Sequence, residues 1–204
     1  TIDMQDRIFS DNDIHSWGNQ VPDSEALDNW SKTGNIATVT ANQIANPING
    51  QVTADLIQKN AYAYQRVYRT DIPNNEIGTY VVSLYVKSNT LSAVTIVYGK
   101  ADASESVIGV FNIGTSSVIS AYKTGSATLI SRSIDAVGTD GWHRINIIGT
   151  FTFNTTARFN IYPDEWQNAN AGSIYVWGAQ VQKTTTLPSY ESYVNSTGTK
   201  AITF

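Results

Sequence analysis

The chain has 204 residues, no cysteine, only 15% charged side chains and a formal net charge of -4, with a sequence pI near 5.0. Disulfides, thiolate metal sites and cysteine nucleophiles are therefore excluded, and the acidic balance lacks the basic footprint of a nucleic-acid binder. No apolar run approaches the roughly 18 residues of a membrane span, so membrane insertion is not expected.

Opening at Thr1 without an initiator Met, the chain is expected to be a piece of something longer. Residues 1–26 read as a polar entry segment, with Asp3, Asp6, Asp11, Asp13 and Asp23 scattered around Phe9 and Trp17. From Trp30 onward, short runs alternate apolar with polar, the period of a half-buried strand. The first is Ile36–Thr40, followed by the turn Asn46-Pro47-Ile48-Asn49-Gly50, in which Pro sets φ and Asn-Gly tolerates positive φ. Residues 51–70 are ambiguous, with a strand pattern at Thr53–Gln58 and small-aromatic alternation from Ala61 to Tyr64.

The clearest strand is Thr79–Lys87, with Tyr80, Val82, Leu84 and Val86 on one face and Val81, Ser83, Tyr85 and Lys87 on the other. Further strands are predicted at Ala93–Gly99, Ser106–Ile113, Val118–Tyr122, Ala127–Ala136, Trp142–Phe153, Ala157–Tyr162 and Ser173–Gln182, each bounded by Gly, Asn, Asp or Ser clusters. No segment carries the stripe of a long amphipathic helix. Many short strands between turn signals predict an all-β antiparallel sandwich of two packed sheets. The sandwich is expected over residues 27–194, with a tail at 195–204; alternation is lost from Leu187, where the chain is expected to run across a neighbouring surface.

Three local patterns resemble a known family. Tyr80-Val81-Val82-Ser83-Leu84-Tyr85-Val86-Lys87 resembles its "SxYVK" strand, and Gly141-Trp142-His143-Arg144 its "GWYR" strand opening. Tyr175-Val176-Trp177-Gly178-Ala179-Gln180, with Leu187-Pro188-Ser189-Tyr190 beyond, resembles its "YxWGAQLE…PTSYI" ending. His143 stands where an aromatic is common, and Val181-Gln182 replaces Leu-Glu. These signatures are similar to those of jelly-roll, carbohydrate-binding-module-like domains of bacteriophage tail fibres and tailspikes. The resemblance implies a jelly roll, a place on the virion outside the cell, a homotrimer formed through the parent fibre, and bacterial surface polysaccharide as partner. The family is defined by its scaffold, and a fold does not dictate a ligand.

Sugar binding would use exposed aromatic faces with amides beside them. Trp166, Trp17, Tyr62, Tyr64 and Tyr68 are the candidates, with Gln167 as an amide neighbour, whereas Trp30, Trp142 and Trp177 are expected in the core. Subunit contacts enrich the same residue types, so residue type alone does not separate a glycan from a sister subunit.

No cofactor is required. Calcium is the one cation the loop oxygens suit, with Asp11 and Asp13 as candidate ligands; a solvated entry loop explains them equally, and zinc lacks ligands. His15 and His143 are the only histidines, no Gly-x-Ser-x-Gly elbow is present, and Asp164-Glu165 beside Trp166 are adjacent residues expected to face apart. The chain is therefore expected not to be an enzyme, and to act as a non-catalytic module binding host-surface glycan. A trimerisation or capping domain is the first alternative, and a polysaccharide depolymerase or esterase domain the second.

Overall fold

The computed structural model describes residues 18–33 and 36–190. Within them the chain forms one 3-10 turn at Leu27–Asn29 and twelve strands. These are β1 (Ser31–Lys32), β2 (Ile36–Ala45), β3 (Val52–Lys59), β4 (Val67–Ile72), β5 (Gly78–Ser88), β6 (Ala93–Lys100), β7 (Ser106–Asn112), β8 (Ser117–Thr124), β9 (Thr128–Val137), β10 (Trp142–Phe151), β11 (Ala157–Tyr162) and β12 (Gly172–Lys183). One sheet runs β1-β4-β11-β6-β7-β8 and the other β2-β3-β12-β5-β10-β9. Every pairing is antiparallel. The expected two-sheet β-sandwich is what the chain forms.

The alternation read from sequence has a direct physical outcome. Tyr80, Val82, Leu84 and Val86 of β5 point between the sheets, where they meet Val94, Ile96 and Tyr98 of β6, Phe159 and Ile161 of β11, and Trp30. Tyr80, Tyr98 and Phe151 pack at centroid distances of 6.2, 6.1 and 5.3 Å, within the range of favourable ring pairs. The turn after β2 forms around Asn46, whose Oδ1 accepts from the N–H of Ile48 and of Asn49, both at 3.0 Å. Residues 18–26 lie against the sandwich: Val21 is fully buried, and the Gln20 N–H donates to the Val181 carbonyl at 2.9 Å.

Both sheets also carry hydrophobic clusters on the faces turned away from the core. On the β12-β5-β10 sheet, Tyr85, Trp142, Trp177 and Ala54 form one, with Tyr190 packed against them. Trp142 and Trp177 are buried as expected, although beneath the chain's own Tyr190 rather than between the sheets. The Trp177-Gly178-Ala179-Gln180 sequence explains how: the register slips between Trp177 and Gln180, so two residues three apart both face outward, a β-bulge. Gly178 has φ +63°, a conformation that glycine adopts without strain, and a Cβ there would come within 2.9 Å of the Tyr190 ring.

The motifs behind the family resemblance converge on this node. Arg144 donates to the Pro188 carbonyl (2.7 Å), Ser83 Oγ (3.0 Å) and Gln180 Oε1 (2.9 Å), while its guanidinium lies 5.4 Å from the Tyr85 ring centroid. Gln180 donates to the Ser189 carbonyl at 3.0 Å, and Tyr190 stacks on Trp177 at 4.4 Å. The sequence Pro188-Ser189-Tyr190 is thus a strap across the sheet, anchored by Arg144, Gln180 and Trp177.

Candidate functional site: an aromatic outer face

The other sheet's outer face is built differently. In β11, Ala157, Phe159 and Ile161 point into the core, which sends Arg158, Asn160 and Tyr162 outward. Cross-strand pairing then aligns Tyr68, Asn160, Val97, Ile108 and Tyr122 in one lateral row across β4, β11, β6, β7 and β8. Four strand spacings make that row about 19 Å wide. Val97, Ile108, Val110 and Tyr162 form its apolar floor, with Tyr122 and Trp166 packed against them.

Two loops rise beside this floor, residues 60–66 between β3 and β4 and residues 163–171 between β11 and β12. The Tyr64 N–H donates to the Trp166 carbonyl at 2.7 Å, joining them. Tyr64 holds a positive φ of 60°, unusual for a bulky residue, and Gln65 staples its loop by accepting from the Asn60 N–H at 3.0 Å. Beneath the second loop lies an ion pair between Lys59 and Asp164 at 3.5 Å, almost wholly removed from solvent. Asp164 also accepts from the Glu165 N–H (2.8 Å) and from Asn170 Nδ2 (3.1 Å), and Lys59 donates to the Asn168 carbonyl at 2.7 Å. Burial lowers the pKa of Lys59, opposed by the facing carboxylate.

These restraints present rings. Trp166 is half-buried at the centre of a chain of contacts to Tyr64 (6.2 Å), Tyr122 (5.8 Å) and Tyr162 (6.3 Å). Arg66 donates to the Tyr162 hydroxyl at 2.9 Å and lies 5.1 Å from the Tyr68 centroid. Among them sits Asn160, 1% exposed, with no hydrogen-bond partner for Oδ1 or Nδ2 among the described residues. A buried amide left unpaired on both sides is costly, so such a group calls for a reason.

The structure thus brings Tyr64, Tyr68 and Trp166 of the sequence candidates onto one face. Tyr62 is 60% exposed on the same loop as Tyr64, without a ring contact among the described residues, and Gln167 is exposed beside Trp166. Trp17, Asp11, Asp13 and His15 lie outside the described residues, and with them the candidate calcium site. Among the described residues no three carboxylates or histidines gather as a metal cluster, and no helix is long and apolar enough to cross a membrane. Sequence reading missed Arg66, Tyr122, Arg158, Asn160 and Tyr162. The available signal was the alternation within Ala157–Tyr162, which puts a cation, an amide and a phenol on one face.

The acids and histidine weighed for catalysis fall elsewhere. Asp164 is engaged in holding the Trp166 loop. His143 Nε2 is 2.6 Å from Ser116 Oγ, but its Nδ1 is buried without a partner, so the orienting acid of a triad is missing among the described residues.

Fold and face together define an antiparallel β-sandwich with one outer face strapped and the other presenting aromatic side chains. No protein-family model and no curated protein sequence matches the chain. Among solved structures it is similar to the enzymatically active domain of tailspike protein 4 from bacteriophage CBA120, at a TM-score of 0.46 and 13% identity, over 80% of this chain and 21% of that one. The match spans about a fifth of the length of that domain. The expectation that this chain is not an enzyme is corrected here, because the structure it matches is that of an enzymatically active domain.

Proposed function

We propose that the outer face carrying Trp166 is the glycan-contacting surface of a bacteriophage tail protein, directed at bacterial surface polysaccharide. The observation that carries this reading is the buried, unpartnered amide of Asn160 on a floor flanked by Tyr68, Tyr122, Tyr162 and Trp166. Sugars present both chemistries that such a face accepts: hydroxyls for an amide and C–H faces for aromatic rings. Loops tied together before ligand arrives reduce the ordering cost of binding. Placement in a tail fibre or tailspike, and assembly as a homotrimer through the parent protein, rest on the ordered strand and strap motifs.

Calorimetric titration with a panel of bacterial capsule and lipopolysaccharide oligosaccharides tests the reading. Trp166→Ala is expected to weaken binding by about five- to 150-fold, the effect of removing ~1–3 kcal/mol of aromatic contact, while the circular dichroism spectrum stays that of the parent. A folded protein that binds no member of the panel, or a stable trimer in which Trp166 is buried against a neighbour, would sink it.

A further inference from the structure

The same face carries two cations that no carboxylate pairs with among the described residues. Arg158 and Arg66 take part in no ion pair among the described residues, in contrast to Arg69, which binds Asp71 and Asp23. The guanidinium of Arg158 makes no hydrogen bond among the described residues, and that of Arg66 makes one, to a neutral phenol. The Nε of each is buried without a partner among the described residues. Arg158 stands on the same outward side of β11 as Tyr162, whose hydroxyl accepts from Arg66, and the Arg66 guanidinium lies 5.1 Å from the Tyr68 ring and 5.9 Å from the Tyr162 ring. Asp102, which acts on Arg158, is already paired with Lys100 at 3.0 Å. Between them in the fold, Asn160 follows Arg158 by two residues on the outward side of β11 and precedes Tyr162, the partner of Arg66.

Two like charges on one face with unsatisfied N–H groups are stabilised by an anion, and planar guanidinium groups match carboxylates with two parallel hydrogen bonds. We infer that the glycan taken by this face is acidic, with a sugar carboxylate seated by Arg158 and Arg66 while Asn160 bonds an adjacent hydroxyl and Trp166 stacks on a neighbouring ring. The inference rests on the glycan-binding reading of the face and narrows its ligand to uronic-acid-type sugars.

The test is titration of the full chain with uronate-containing bacterial oligosaccharides, the same oligosaccharides after carboxyl reduction, and phosphate-substituted neutral ones. Binding is expected for the uronates and to fall about tenfold or more on carboxyl reduction, the loss of one charge-assisted contact. Arg158→Gln should give the same loss for the acidic ligand and none for the reduced one, with Arg158→Lys recovering part of it. Raising ionic strength from about 0.1 to 1 M, which shortens the Debye length from roughly 10 to 3 Å, should weaken only the acidic series. Thermal melting of each variant separates lost binding from lost folding, and Arg66→Gln supplies a second variant should the first not fold. Equal binding of acidic and reduced ligands that still depends on Trp166 would overturn the acidic preference and leave the glycan reading standing. Preference for the phosphate-substituted set overturns the carboxylate assignment, and no binding to any set overturns both.

Discussion

The two outer faces of this sandwich use nearly the same residue types to opposite ends. Each has tryptophan, tyrosines and an arginine beside an amide: Trp177, Tyr85, Arg144 and Gln180 on one, Trp166, Tyr162, Arg158 and Asn160 on the other. On the first face the chain returns to cover its own rings, and the strap carbonyls of Pro188 and Ser189 accept from Arg144 and Gln180, leaving Arg144 Nε and Trp177 Nε1 buried without a partner among the described residues. On the second face no described segment returns to do so, and Asn160 and Arg158 stay unpaired. Residue composition therefore does not separate a structural cluster from a binding surface. The amides do: Gln180 is bonded through both its oxygen and its nitrogen, whereas Asn160 is bonded through neither among the described residues.

The comparison can be broken most severely at the groups that build each face. Trp177→Ala removes a buried ring from the strapped face and should cost about 3–5 kcal/mol, read as a lower midpoint in urea. Asp164→Ala leaves the Lys59 ammonium buried and unpaired, which costs about 3–5 kcal/mol for a buried pair. It should also release the Trp166 loop, seen as faster amide exchange over residues 163–171. Trp166→Ala, at a half-buried ring, should cost only about 1–2 kcal/mol of stability while removing glycan affinity.

A smaller effect with the opposite sign sharpens the contrast. Asn160→Leu replaces an unsatisfied amide by an apolar group of similar size, so the fold should gain about 1 kcal/mol as glycan binding is lost. A stability loss comparable to Trp177→Ala would mean that Asn160 has a structural role.

Alkali supplies the mildest test. Burial raises the hydroxyl pKa of Tyr85 and Tyr190 on the strapped face and of Tyr122 on the open one, and lifts Tyr80 in the core to about 12. In the unfolded chain these groups ionise near their ordinary value of about 10. Stability from Tyr80 is thus fully present below pH 10 and lost as pH rises through about 12. Tyr80→Phe should make unfolding less steep across that window, followed by far-ultraviolet circular dichroism against pH.

Much of the scaffold was legible beforehand because alternation with period two reports which side of a strand faces the core. The Tyr80–Val86 face, the turn at Asn46 and all strands but β1, β4 and the ambiguous β3 could be read that way. β4 escaped notice because its charged stretch, Arg69-Thr70-Asp71, hides the alternation and is resolved by an ion pair between Arg69 and Asp71. At the candidate site Trp166, Tyr64 and Tyr68 were legible as aromatic residues in or beside a loop. Arg158 and Asn160 were not, since a polar residue at an outward position is what any solvated strand shows.

By itself the sequence determined the all-β class and the inward face of the main strands, because these follow from local backbone sterics and side-chain periodicity. Only the tertiary structure decided which outer face closes. That depends on where Pro188–Tyr190 comes to rest, on strands β5, β10 and β12, and periodicity says which residues point outward but nothing about what lies above them.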